Sequence, residues 1–157
     1  MYDTLTAIKK LLETTFGSVI KSYFIDDPNL IPASSLPCLA VSPISTDISL
    51  ADIARDLYTY TVDVILIINA MDEINKVGKE IVGTKFLTET MEKMNMDGSV
   101  NDSTILYTLR KNLTLGPNWY IGNVKKIDYS LKIRSEQLIT KEAAMQIQVL
   151  RIVNRPT

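Results

Sequence analysis

The stretch Asp56-Leu-Tyr-Thr-Tyr-Thr-Val-Asp-Val-Ile-Leu-Ile-Ile-Asn69 is the longest strand candidate in the chain. Every even position from Tyr58 to Ile68 is apolar or aromatic. Alternation with a period of two predicts a β-strand with one buried face. The odd positions begin polar and become apolar at Ile65 and Ile67, so we expect the second half of this strand to be covered on both faces.

Two further stretches near the C-terminus repeat the alternation. Residues 124–134 carry apolar side chains at the odd positions from Ile127 to Ile133, and residues 144–153 repeat the pattern from Met145. Strands that are adjacent in sequence usually pair antiparallel, which we expect here. Residues 135–142 between them are predicted to be a polar connection.

The first quarter of the chain predicts a helix followed by two short strands. Leu5, Ile8 and Leu12 lie on one helical stripe, which continues at Thr15 or Phe16; Asp3 or Thr4 is expected to cap the helix and Gly17 to end it. Residues 18–25 are rich in β-branched and aromatic side chains and suit a strand. Residues 38–41 form a short apolar strand between Pro37 and Pro43, which predicts brief pairing at an edge or a corner of the sheet.

The remaining segments are helices and loops. Helical spacing predicts a helix over residues 71–94, with an apolar stripe that includes Phe86 or Leu87, Met91 and Met94, and a short helix over 104–112. Residues 26–37 and 95–103 predict long loops, 42–55 a long loop or a protruding hairpin, and 115–119 a turn. The sequence therefore predicts a single α+β domain over residues 1–157, with a mostly antiparallel sheet and helices packed on one face.

The composition excludes several kinds of chemistry. The chain of 157 residues has 17 basic and 18 acidic residues, one cysteine and no histidine, so histidine-dependent catalysis and most zinc or iron sites are ruled out. Magnesium sites made of carboxylates remain open at Asp26-Asp27 and Asp72-Glu73, although such pairs are more typical of turns and helix N-termini. We predict no catalytic residues, no cofactor and no metal.

The same composition bears on location and reactivity. The apolar neighbours of Cys38 predict an inert, buried thiol. The first residues lack the pattern of a secretory signal, and the longest apolar run, Val64–Ile68, is far shorter than the roughly 20 residues of a membrane-spanning helix. We therefore expect a protein of the cytoplasm with no membrane contact.

Six residues are candidates for an interface with a partner. Lys125, Lys132 and Arg134 cluster with Lys126 on one predicted strand; the cluster is either a solvated face of mixed charge or a surface that contacts a partner or faces a DNA-bearing channel. Trp119 and Tyr120 follow a Gly-Pro turn and either anchor an interface or close the core. Asp47, in the predicted loop or hairpin 42–55, completes the set.

The order of these segments resembles a known family of viral proteins. An amphipathic N-terminal helix leads to a strand, to the proline-bounded stretch Leu36-Pro-Cys-Leu-Ala-Val41, and to a long strand that ends in Ile67-Ile-Asn69. A helix with Asp72 near its start and two closing strands follow. This layout, over residues 5–153, is similar to that of the tail terminator (tail completion) proteins of long-tailed bacteriophages and their neck-protein relatives.

The resemblance implies a structural role in the virion. A terminator subunit assembles into a homo-oligomeric ring, typically a hexamer, which caps the tail tube, stops its polymerisation and offers a docking surface to the head connector or neck protein. DNA passes through the lumen of such a ring without specific binding. Two alternatives stay open: a neck or head-completion protein or tail-tube relative of the same virion, and a cellular α+β module that binds a ligand or regulates a partner.

Overall fold

The computed structural model describes residues 1–70 and 82–155. These residues form one α+β domain around a six-stranded sheet. The helices are α1 (Tyr2–Phe16), α2 (Val82–Glu92) and α3 (Ile105–Lys111), with a 3-10 turn at Ala33–Ser35. The strands are β1 (Ser22–Ile25), β2 (Cys38–Leu50), β3 (Arg55–Asn69), β4 (Thr114–Gly116), β5 (Trp119–Ser135) and β6 (Leu138–Asn154). The predicted fold class is confirmed.

The described strands lie in the order β1-β2-β3-β6-β5-β4, and among their neighbouring pairs only β1 and β2 are parallel. The predicted long strand is confirmed as β3, although β5 and β6, with 17 residues each, are longer than its 15. Strand β3 pairs along its whole length with β6, from Arg55–Asn154 to Asn69–Thr140. The predicted antiparallel pairing of the last two strands is also confirmed. The centre of the sheet is therefore built from strands that are distant in sequence.

The described helices pack on one side of the sheet, which we call the helix face. In α1 the residues Leu5, Ile8, Leu12 and Phe16 are buried, so Phe16 and not Thr15 completes the predicted stripe. They pack against Leu39, Val64 and Ile147 and other inward side chains of β2, β3 and β6. This cluster is the main hydrophobic core. The strands alternate apolar and polar residues because the side chains of one face are buried in this core.

The opposite side of the sheet is covered over only part of its area. Residues 26–37, which we call the strap, cross from the end of β1 to the start of β2, and this side is the strap face. Ile31 and Leu36 of the strap are buried against Cys38, Ile65 and Ile67. The second half of β3 is therefore covered on both faces, as predicted, and the strap is a covering segment where the sequence indicated a long loop.

Several boundaries differ from the sequence prediction. Residues 42–50 continue β2 through Pro43, so of the two options for 42–55 the hairpin is correct and the long loop is wrong. The pairing of β2 with β3 shifts register between Pro43 and Ser45, and this bulge accommodates a proline that cannot donate a hydrogen bond. The polar connection 135–142 shrinks to a turn at 136–137 because β6 begins at Leu138.

The helices show smaller differences. Neither Asp3 nor Thr4 caps α1, since Met1 occupies the N-cap without a side-chain hydrogen bond. Thr104 caps α3, and its hydroxyl accepts a hydrogen bond from the Tyr107 backbone N–H at 3.1 Å. The predicted helix 71–94 ends at Glu92, so Met94 is outside it and exposed. Its first part, with Asp72 and Glu73, lies outside the described residues.

Candidate functional site

One candidate site is the outer half of β2, which is an open edge of the sheet. Strand β1 pairs only with residues 38–41 of β2, while β3 pairs with β2 as far as Leu50. Within residues 1–70 and 82–155, no strand pairs with the outer side of residues 42–50. The backbone N–H and C=O groups on that side are therefore available to a strand from another chain.

The same edge displays apolar side chains that the domain leaves in solvent. Ile48 is 60% exposed, and Ile53, at the tip of the hairpin, is 96% exposed. Ile48 and Leu50 lie on the helix face, since they pair with Tyr58 and Asp56. Ile44, at the bulge, is exposed as well. We call residues 42–54 the β2 arm.

A second open edge lies on the other side of the sheet. The short strand β4 pairs only with Trp119 and Tyr120 of β5, and the backbone N–H of Ile121 donates to the Leu113 carbonyl at 2.8 Å. Beyond that point, no strand among the described residues pairs with the outer side of β5 up to Ser135. The side chains of Tyr129, Leu131 and Ile133 are exposed on the helix face of this edge.

Tyr129 is fixed in place by the neighbouring helix. Its hydroxyl donates a hydrogen bond to Oε1 of Glu92 at the end of α2. Burial raises the pKa of the Tyr129 hydroxyl, and the hydrogen bond and charge of Glu92 add to the effect. The phenol therefore stays neutral at physiological pH and acts as a donor to Glu92.

A buried cluster of charges holds the strap to the strap face. The Arg134 guanidinium contacts Oε1 of Glu142 at 2.6 Å and Oδ1 of Asp27 at 2.7 Å, and it donates to the Pro28 carbonyl at 2.6 Å. The Lys132 ammonium lies 2.9 Å from Oε2 of Glu142 and 3.3 Å from Oδ2 of Asp27. Burial lowers the pKa of Lys132, but Glu142 and Asp27 outweigh it, so the pKa is raised.

The cluster corrects one predicted interface residue. The sequence predicts Arg134 on a solvated or partner-facing surface. Its side chain is only 6% exposed, and its guanidinium forms ion pairs with Asp27 and Glu142 of the same chain. Lys132 shares the same carboxylates while its side chain remains 45% exposed. Arg134 therefore belongs to the interior, and Lys132 stands at its border.

The rest of the strap face is polar. Lys126 and Asp128 form an ion pair at 2.7 Å on β5, and Asp63 on β3 accepts a hydrogen bond from Gln146 at 3.4 Å. Burial raises the pKa of Asp63, and Gln146 and Lys126 offset only part of this effect. This half of the face carries mixed charge, which is one of the two alternatives that the sequence leaves open.

Trp119 and Tyr120 divide between the two predicted roles. Trp119 packs against the main core, and the Arg151 guanidinium lies 4.9 Å from the centre of its ring. Tyr120 points to the strap face, since it pairs with Leu150, and is exposed. Trp119 thus closes the end of the core, and only Tyr120 is open to a partner.

The last two predicted residues occupy the two edges. Asp47 lies on the β2 arm, and Lys125 lies at the register shift between Val124 and Lys126 in β5. Both are exposed, and neither forms an ion pair with another described residue. The structure therefore places one unpaired acid and one unpaired base at opposite edges of the sheet.

Of the carboxylates singled out for magnesium, Asp26 and Asp27 have structural partners, and Asp72 and Glu73 lie outside the described residues. Asp26 accepts hydrogen bonds from the Ser42 hydroxyl and the Asp27 backbone N–H, while Asp27 binds Arg134. The described part of the chain contains no group of three or more acidic, cysteine or histidine residues that could hold a metal ion. Cys38 is fully buried, as predicted, and burial raises the pKa of its thiol to about 12.

Two open grooves among the described residues could take a small molecule. One, of about 330 Å³, lies between α1 and the segment that joins α3 to β4, and includes Leu11 and Leu115. The other, of about 320 Å³, lies between α2 and the β5–β6 pair, and includes Leu87 and Leu131. Their size is at the lower end of ligand sites.

Sequence reasoning missed the apolar side chains of the β2 arm. The segment 42–55 was classified by its Pro, Ser, Thr and Asp content, which is typical of loops. The available signal was the alternation from Thr46 to Leu50, in which Ile48 and Leu50 occupy even positions and Asp47 and Ser49 odd ones.

No known protein family and no curated protein matches the chain in sequence. Among the described helices, none combines the length and the apolar character needed to cross a membrane.

Proposed function

We propose that this protein is a structural subunit that assembles with copies of itself into a ring, and that the ring caps the tail tube of a long-tailed bacteriophage. The observation that carries the proposal is the single sheet with open edges on opposite sides, at the β2 arm and at β5. A subunit with two different contact surfaces can bind one neighbour on each side. Contacts of this head-to-tail kind close into rings when the rotation between subunits permits.

The exposed apolar side chains of the β2 arm support the same proposal. Ile44, Ile48, Leu50 and Ile53 are separated by polar residues, and all four are exposed. Burying apolar surface in a contact is favourable by roughly 25 cal/mol per Å² before the cost of association. An arm of this kind gains stability when it meets another protein surface, which is the behaviour expected of an assembly subunit.

The virion role rests on the resemblance in layout. Helix α1, strand β1, strand β2 after Pro37, the long strand β3 and the closing strands β5 and β6 follow one another in the order of that layout. In the proposed role the ring ends tube polymerisation and joins the tail to the head connector or neck protein. DNA passes through its lumen without specific binding, and the protein acts in the host cytoplasm during assembly and in the virion afterwards.

The test is assembly of the purified full-length chain, alone and with tail-tube protein of the same phage. Mass photometry and negative-stain images should show rings of six subunits, free or at the ends of tubes. A chain that remains monomeric at every concentration and does not bind tube ends would contradict the proposal. Bovine serum albumin added to the same tubes is the control for non-specific adhesion.

The two alternatives predict other outcomes of the same experiment. A neck or head-completion protein would form rings that bind the connector instead of the tube end, and a tail-tube relative would form stacked rings. A cellular binding module would stay monomeric and bind a small ligand in one of the two grooves, each of which is large enough for a small molecule.

A further inference from the structure

The two open edges of the sheet match each other in direction. Strand β2 runs antiparallel to β3, β3 to β6, and β6 to β5, so β2 and β5 point in opposite directions. When two copies stand side by side with their sheets facing the same way, the β2 edge of one copy and the β5 edge of the other run antiparallel. Ile48 is level with Trp119, so one copy must also be shifted along the strands to bring residues 42–50 beside the open stretch 122–135 of β5. Antiparallel pairing needs no rearrangement of either strand and is the more stable kind.

The side chains of the two edges also match, face by face. On the helix face, the β2 arm carries Ile48 and Leu50 and the edge of β5 carries Tyr129, Leu131 and Ile133. All five side chains are exposed. Cross-strand contacts between apolar side chains on one face stabilise a strand pair. The pairing would bury the apolar side chains that each isolated copy exposes to water on its helix face.

The strap face contributes opposite charges. Asp47 is exposed on the β2 arm without an ion pair to a described residue, whereas Asp52 of the arm pairs with Arg55. On β5, Lys126 and Lys132 are exposed bases that also pair with acids of their own chain. Asp47 lies on the same face as Lys126 and Lys132, since its partner on β3 is Thr59. Opposite charges on neighbouring strands stabilise the pair, and like charges directly opposite each other destabilise it.

The charges also select against the symmetrical alternatives. Two β5 edges brought together would bring the exposed lysines of both strands side by side, and two β2 arms would bring their Asp47 side chains together. A contact between β2 and β5 avoids both penalties. It is heterologous, so it leaves one edge of each kind free for the next copy.

We infer that the β2 arm of one copy pairs antiparallel with β5 of the next copy, so that the sheet runs from subunit to subunit. The inference rests on the proposed function in one respect, which is that the chain associates with copies of itself. It adds which two strands form the contact. It does not depend on which part of a virion the ring joins.

Cysteine cross-linking between co-expressed full-length chains tests the pairing. One chain carries Ile48→Cys and the other carries Tyr129→Cys, Leu131→Cys or Ile133→Cys, and the natural Cys38 remains because it is fully buried. Disulfides require Cα atoms about 4.4–6.8 Å apart, which is the spacing of paired strands. We expect at least one of the three mixtures to give a disulfide-linked dimer on oxidation, at ten or more times the yield of either variant alone.

Ser130→Cys with Ile48→Cys is the matched control. Ser130 is adjacent to Leu131 but lies on the strap face, as its pairing with Glu142 shows, so its thiol should not reach position 48. The inference is overturned if Ile48→Cys links to itself, or if the chain forms oligomers and no mixture exceeds the Ser130→Cys control. In that second case the proposed ring stands and only the strand pairing fails. A chain without oligomers in mass photometry refutes both.

Discussion

Nη2 of Arg134 lies 2.6 Å from Oε1 of Glu142 across the β5–β6 pair, and these side chains are only 6% and 1% exposed. The same guanidinium reaches Asp27, which is 107 residues earlier in the chain. Thr140 donates a further hydrogen bond to Glu142 at 2.7 Å. The buried carboxylate is thus compensated on several sides, and removing any large part of this compensation should be costly.

We predict that Arg134→Ala destabilises the fold by about 3–5 kcal/mol, because it leaves the buried Glu142 carboxylate with Thr140 and only one described cation, Lys132. Urea unfolding at pH 7, followed by circular dichroism, measures the change. Lys125→Ala is the control: its side chain is exposed on the same strand, so its midpoint should match the natural chain. If Arg134→Ala costs less than 1 kcal/mol, the cluster does not hold the strap.

A second prediction compares a buried and an exposed position on the helix face. Val64→Asp should abolish cooperative folding, because Val64 is fully buried in the main hydrophobic core. A buried, unpaired charge there costs several kcal/mol. Ile48→Asp, on the same face but 60% exposed, should keep the stability of the natural chain within about 0.5 kcal/mol. Thermal unfolding measures both variants.

The same Ile48→Asp protein should lose self-association, because it places a charge in the apolar row of the β2 arm. Size-exclusion chromatography with light scattering, compared with the natural chain at equal concentration, reads this loss. A folded Val64→Asp protein would show that the assignment of the helix face is wrong.

A third prediction concerns pH. Burial raises the pKa of Asp63 above its ordinary value of 3.8, so the folded state holds this proton to a higher pH than the unfolded chain. The ionised carboxylate therefore lowers stability at neutral pH, and the penalty vanishes as the pH falls below 3.8. Asp63→Asn should raise the urea midpoint at pH 7 and leave it unchanged at pH 3.

Asp47→Asn is the control for that experiment, because Asp47 is exposed at the edge of the sheet. Its urea midpoint should follow that of the natural chain at both pH values. A gain for Asp63→Asn that is equal at pH 7 and pH 3 would point to packing and not to the charge of Asp63.

The sequence predicts elements whose packing is local or repetitive, and it fails where distant residues decide. The alternation in β3 and the stripe in α1 identify their buried faces correctly, because each residue there meets the same core. The polar character of residues 135–142 predicts a connection, but the structure places 138–142 in a strand. They belong to β6 since Arg134 and Asp27 provide partners that no local pattern reveals.

The β2 arm illustrates a different limit. Prolines at positions 37 and 43 indicated a short strand, because proline disrupts the pairing of central strands. At Pro43 the outer neighbour β1 has already ended, and the register shift absorbs the proline on the inner side. Whether a proline ends a strand depends on the presence of a neighbour, which the sequence does not show. The exposed edge was therefore recognisable only once β1 was placed.

The bond between Asp27 and Arg134 also has a consequence for biosynthesis. A ribosome that has made the first hundred residues has supplied the strap, Cys38 and Ile65, but not yet the β5–β6 pair whose side chains fasten the strap. The strap therefore lacks the ion pairs that hold it over this apolar patch until nearly the whole chain has been translated. Contacts this distant in sequence slow folding and prolong the exposure of sticky surface. Nascent chains stalled before Lys132 should accordingly be better clients for a holding chaperone than chains released after Asn154.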